Sequence, residues 1–169
     1  MLHVSRFKFQ DRKGQMVIEA IIAASVLVVG LLGALTLLNR SLGLQRAVSN
    51  NYIGTYLASE GVEIVKNMID ANILQSRPWN DGLSAGDSEA DYASAALTPF
   101  SGEGRSLIFD AVSHLYGYGR VGTKTNFIRR VRITAVSADE MRVNSIVTWT
   151  TGLAQSSINV EDHFFNWRP

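Results

Sequence analysis

The chain offers five groupings of residues that could carry chemistry. Gly117 to Gly122, "GYGRVG", has the G-x-G-x-x-G spacing that cradles a dinucleotide pyrophosphate. That chemistry needs a strand before the glycines and a helix N-terminus after them; here strand-like residues follow, so the stretch reads as a turn and no cofactor is expected. Asp87, Glu89 and Asp91 have the alternate spacing of the first ligands in a calcium loop. Tyr92 stands where glycine is needed and Thr98 where the bidentate glutamate belongs, which favours a solvated loop without metal. His3, His114 and His163 share no ligand spacing, and there is no nucleophile-elbow pattern. The chain has no cysteine, which excludes a thiol nucleophile, a disulfide scaffold and a lipoprotein anchor. Arg129, Arg130 and Arg132 form the fourth grouping, of which Arg130 and Arg132 share an exposed strand face suited to phosphate. The fifth is a single residue, Glu19, set inside an apolar run.

Charge decides against a polyanion partner. The first 14 residues hold Arg6, Lys8, Arg12 and Lys13 against Asp11; removing them from the total of 16 basic and 15 acidic residues leaves 12 and 14. The basic character thus belongs to the leader, and Arg130 and Arg132 are expected in cross-strand ion pairs and not on nucleic acid. No enzymatic activity is expected from this set.

Glu19 is the only charged residue between Met16 and Leu38. A carboxylate inside hydrocarbon costs roughly 2.5 to 3.5 kcal/mol at a helix centre and less near the interface, so its presence calls for a function. The run is long enough to span a bilayer and too long for a signal-peptide core, whose small residues would lie at its end; here Ala23, Ala24 and Ser25 lie in its middle. The basic leader places the amino end in the cytoplasm. Ala20 with Ala24, and Gly30 with Ala34, have the four-residue spacing of small residues that lets helix backbones approach closely in lipid.

A basic leader ending in Gly14, then a polar residue, then "MVIE" and a long apolar helix, resembles the class III signal sequence of type IV pilins and pseudopilins. The resemblance implies cleavage by a prepilin peptidase between Gly14 and Gln15 and methylation of the new amino terminus on Gln15. Glu19 becomes the fifth residue of the mature chain. It is then implied to neutralise the terminal ammonium group of a neighbouring subunit, because a paired charge costs far less in hydrocarbon than a lone one. The partners implied are other pilin subunits, the peptidase, an inner-membrane assembly platform and, before assembly, membrane lipid. Three departures point to a minor pilin or pseudopilin: Gln15 after the cut, no proline before Pro78, and no cysteine pair.

The rest reads as an α+β domain. Residues 41–75 continue helical, with Val48, Tyr52, Tyr56, Glu60, Ile64 and Met68 at four-residue spacing, flanked by Ile53, Leu57 and Val65, as the expected sheet-facing side. Gly43, Gly54 and Gly61 weigh against an unbroken helix. Residues 77–104 read as a long polar loop. From about 105 to 167 alternation predicts an antiparallel meander, with Phe127, Val131, Ile133, Met141, Val143, Val147, Trp149, Ile158, Val160 and Phe164 inward. The expected organisation is a leader (1–14), a membrane and assembly helix (15–40) and a globular domain (41–169), a pilin-like fold. The expected role is a filament subunit, first in the cytoplasmic membrane and then in an extracellular pilus or periplasmic pseudopilus. The alternative is a permanently anchored outer domain that binds or catalyses.

Overall fold

The computed structural model describes residues 12–119, 121–152 and 154–167. Helix α1 covers Arg12–Leu74 without a break. No proline falls within it, and its end is built locally. Ser76 adopts a left-handed φ of 56°, Arg77 N–H donates to the Asn72 carbonyl at 2.9 Å, and Ser76 N–H donates to the Ile73 carbonyl at 3.1 Å. This pair of bonds is the Schellman closure of a helix C-terminus, here with serine where glycine is commoner. Pro78 follows and prevents further helix.

The chain divides into two units, Met1–Arg46 and Ala47–Pro169. Of the first, the described part is helix alone, and residues 14–46 are exposed throughout. One helix is long and apolar enough to cross a membrane, with a mean hydropathy of 2.6 in its most apolar stretch.

The second unit contains the last turns of α1 and a sheet of seven strands: β1 Gly86–Glu89, β2 Thr98–Pro99, β3 Ser106–Asp110, β4 Leu115–Gly117, β5 Thr123–Ala135, β6 Glu140–Thr151 and β7 Ala154–Phe165. All pairings are antiparallel. The fold class is therefore α+β, a long N-terminal helix followed by an antiparallel sheet. Strands β5, β6 and β7 form the expected meander. On its other edge β5 is shared: β3 pairs with residues 123–128 and β1 with 131–133. The polar stretch 77–104 is thus not simply a loop, because β1 and β2 lie inside it; its Asp, Ser and Gly content hid a strand too short to show alternation.

The inward set on β5 and β6 is as expected, since Phe127, Val131, Ile133, Met141, Val143, Val147 and Trp149 are all buried. Ile158, Val160 and Phe164 pack at the margins of the same core. The helix face is as expected in its second half and differs in its first. Ile64, Leu57 and Val65 are buried and Ile53 and Met68 pack against the core, but Val48, Tyr52 and Tyr56 are exposed, and the buried side also takes in Ala58, Val62, Ile69 and Asn72. A strict four-residue row drifts around a helix of 3.6 residues per turn, so it cannot stay on the sheet; spacings of three and four can. Gly54 and Gly61 belong to the buried face, where they admit the sheet. A Cβ on Gly54 would lie 2.6 Å from the Trp149 ring, and one on Gly61 would collide with the Ser145 hydroxyl.

Candidate functional site

The residues singled out in the apolar run lie along the exposed surface of α1. Gln15 and Glu19 are one turn apart, about 6 Å along the axis at 1.5 Å per residue. Glu19 is exposed and has no hydrogen-bond or ion-pair partner among the described residues. Ala20, Ala24, Gly30 and Ala34 are exposed too, and open space surrounds the Cβ positions of Gly14 and Gly30. The hydroxyls of this segment are satisfied within it: Ser25 donates to the Ile21 carbonyl and Thr36 to the Leu32 carbonyl, both at 2.8 Å. That is the arrangement a helix in hydrocarbon requires, since no water is there to take the bond. The carboxylate is the exception. Residues 1–11, including His3 and most of the leader, lie outside the described residues.

In the second unit the arginine cluster separates by strand parity. Arg130 and Arg132 point outward and meet Asp87, with Arg132 Nε at 2.6 Å from Oδ1 and Arg130 Nη1 at 3.5 Å from Oδ2. The hydrogen bond from Arg132 holds the Asp87 carboxyl below its ordinary range, against a smaller upward effect of burial. The expected cross-strand pairing is present. Arg129 shares the inward parity of Phe127 and Val131 and is completely buried. Its Nη1 contacts Glu60 Oε2 at 2.7 Å and the Leu57 carbonyl at 3.1 Å, while Nε and Nη2 both donate to the Ala90 carbonyl, at 3.1 and 2.6 Å. One guanidinium thus ties the helix, β5 and the chain after β1 together. The sequence reading missed this pair; Glu60 standing in an apolar helix row and Arg129 in an inward strand position are the two signals from which it can be found.

The acidic triad does not converge on a point. Asp87 is held by Arg132; Glu89 is buried and receives Arg105 through both the backbone N–H at 2.7 Å and Nε at 2.5 Å. Asp91, also buried, accepts from Tyr118 N–H at 2.9 Å, the Ser94 hydroxyl at 2.8 Å and Ala93 N–H at 3.1 Å. Burial pushes the Asp91 carboxyl up, but these donors together with Arg129 hold it below its ordinary range. No group of three acidic or histidine residues among the described residues is placed to hold a metal. The solvated-loop reading fails for Glu89 and Asp91, which fasten the strap 77–104 to the sheet. Gly117 ends β4 and Thr123 begins β5, so the glycine-rich stretch joins two strands and has no helix after it. His114 sits in the β3–β4 turn, and His163 on β7 contacts Glu140 at 2.7 Å, so the two histidines belong to elements that do not pair with each other.

No protein-family model, curated protein or solved structure matches this chain.

Proposed function

We propose that the chain is a structural subunit, a minor pilin or pseudopilin, of a type IV pilus or a related type II secretion-like filament. The observation that carries this reading is Glu19: a carboxylate five residues after Gly14, on an exposed apolar helix, with no partner among the described residues. In this reading a prepilin peptidase cuts after Gly14. The new ammonium group of Gln15 on one copy meets Glu19 of the next, and the pairing sets the register between subunits. Apolar packing through the small residues at Ala20, Ala24, Gly30 and Ala34 supplies cohesion. The α+β domain is the part displayed outside the membrane.

The test is the mature amino terminus, read by mass spectrometry of the protein from cells carrying the native chain or Glu19→Ala. The expected result is a chain beginning at Gln15 in both, with filament assembly lost in the variant. A chain that retains Met1 or Leu2 overturns the reading.

A further inference from the structure

The second unit contains a groove of about 490 Å³ between α1 and the β3–β4 hairpin. Tyr52, Tyr56 and Glu60 line it from the helix, and His114, Leu115 and Tyr116 from the hairpin. The Tyr52 and Tyr56 rings lie one turn apart with centroids at 5.0 Å, tilted by 57°, and their hydroxyls are 3.4 Å apart. Each ring therefore restrains the other, although both side chains are well exposed. Tyr116 adds a third ring, braced by Phe109 at 5.0 Å and by the edge of Phe127 at 6.5 Å.

The opposite wall is pre-formed as well. His114 is held at φ 57°, a conformation that costs a residue with a side chain about 1 kcal/mol or more. The turn around it is fixed by Asp110, whose carboxylate accepts from Val112 N–H and from the Ser113 hydroxyl, both at 2.8 Å.

Among the described residues, Glu60 supplies the only carboxylate on the lining. One of its oxygens is on Arg129, and its side chain keeps 28% of its surface open. Arg129 itself is sealed behind it, and no lysine or arginine lines the groove among the described residues. The lining thus gathers three tyrosine rings, the His114 imidazole and one carboxylate with the aliphatic Ile53, Leu57 and Leu115. A sugar needs several free donors and acceptors to replace its water, and here the Tyr52 and Tyr56 hydroxyls lie against each other while one Glu60 oxygen is on Arg129. A purely apolar ligand makes no use of the carboxylate, and a metal ion finds one charged ligand where it needs several. An organic cation that carries its charge on an apolar surface uses both features, since ring quadrupoles attract it and the open part of the Glu60 carboxylate is the one anionic group among the described lining residues.

We propose that this groove binds a small quaternary ammonium solute, with its methyl groups against Tyr52, Tyr56 and Tyr116 and its charge toward Glu60. This inference does not depend on filament assembly. The test is calorimetric titration of the full chain in maltoside micelles with choline, with its neutral isostere 3,3-dimethylbutan-1-ol, and with methylammonium. The expected result is saturable binding of choline at one site, weaker by about tenfold or more for the isostere, and weaker by about tenfold in Tyr56→Leu. Tyr56 is exposed, so that variant keeps the fold, which the near-ultraviolet dichroism of Trp149 verifies. Equal binding of choline and isostere overturns the proposal, as does the absence of saturable choline binding in the millimolar range. Methylammonium binding as tightly as choline overturns the quaternary class, and an unchanged affinity in Tyr56→Leu removes the site.

Discussion

Arg129 Nη1 lies 2.7 Å from Glu60 Oε2, and the arginine is wholly buried while the glutamate is partly open to the groove. The pair joins residues 69 positions apart in sequence and fixes the helix on the sheet. Such a pair adds little net stability over an apolar replacement of similar shape, but removing one partner leaves the other uncompensated. Arg129→Ala also strands the Ala90 carbonyl, which accepts two of its bonds. We expect Arg129→Ala to destabilise the second unit by about 3 to 5 kcal/mol. Glu60→Gln is expected to cost less, about 1 to 3 kcal/mol, because Glu60 is part-exposed and the amide oxygen can still accept. Denaturant unfolding of the full chain in micelles, followed by the fluorescence of its tryptophans, of which Trp149 is buried in the core, measures both.

Three glycines in one helix are expected to respond differently to the same substitution. Replacing glycine by alanine favours a helix by about 1 kcal/mol, and Gly43→Ala, with open space around its Cβ, should show that gain in the helicity of its segment. At Gly54 the new methyl would lie 2.6 Å from Trp149, and at Gly61 it would meet Ser145 and stand 3.1 Å from Arg129 Cδ. Overpacking of this kind costs about 1 to 3 kcal/mol and outweighs the propensity. Gly54→Ala and Gly61→Ala should therefore lower the unfolding midpoint of the second unit. A rise in that midpoint for either would mean that the helix and sheet separate more easily than their packing implies.

The same glycines show where the sequence was legible. Strands β5 and β6 could be read because each is half-buried over 12 or more residues, so alternation repeats often enough to name the inward side chains one by one. Gly54 and Gly61 read as helix weaknesses because propensity is local, whereas their reason is a sheet residue more than 80 positions away. Arg129 followed the alternation of its strand, and its charge alone obscured that it pointed inward. Strand β1 escaped because four residues, two of them acidic, carry too little apolar pattern to register. Glu19 lies at the other extreme: composition around it was enough to mark it, and its partner is proposed on another molecule.

Acid should loosen the strap before the core. Asp87 and Asp91 both have their carboxyls held below the ordinary range in the fold. A depressed folded pKa gives stability that is present above the unfolded value, near 4, and is lost as pH falls through the folded value. Stability should therefore fall below about pH 4, and Asp91→Asn should flatten that limb by removing the titrating group while keeping an acceptor for Tyr118 N–H.

Alkali acts through Tyr118. Burial, partly offset by Arg129, pushes its hydroxyl up to about 12. A raised folded pKa gives stability that is complete below the unfolded value, near 10, and is lost as pH rises through the folded one. Unfolding midpoints should decline between about pH 10 and 12. Ultraviolet titration should show Tyr118 ionising later than Tyr116 and Tyr52, which are raised less, and Tyr118→Phe should remove the latest ionisation and that part of the decline.

The small residues of the membrane run provide the last prediction. Gly30 and Ala34 are exposed, with open space at Gly30, so a larger apolar side chain there fits the isolated helix and a bilayer equally well. Close approach of a second helix is what it prevents. In the proposed assembly, Gly30→Leu with Ala34→Leu should leave insertion and cleavage after Gly14 unchanged while filament yield falls by about tenfold or more, as read by membrane fractionation, terminal mass spectrometry and sheared-filament recovery. Val26→Leu with Val29→Leu, at positions already large and exposed, is the control and should leave the yield unaltered. Equal yields from both double variants would mean that the spacing of small residues plays no part in association, and cohesion would then rest on Glu19 and the outer domain.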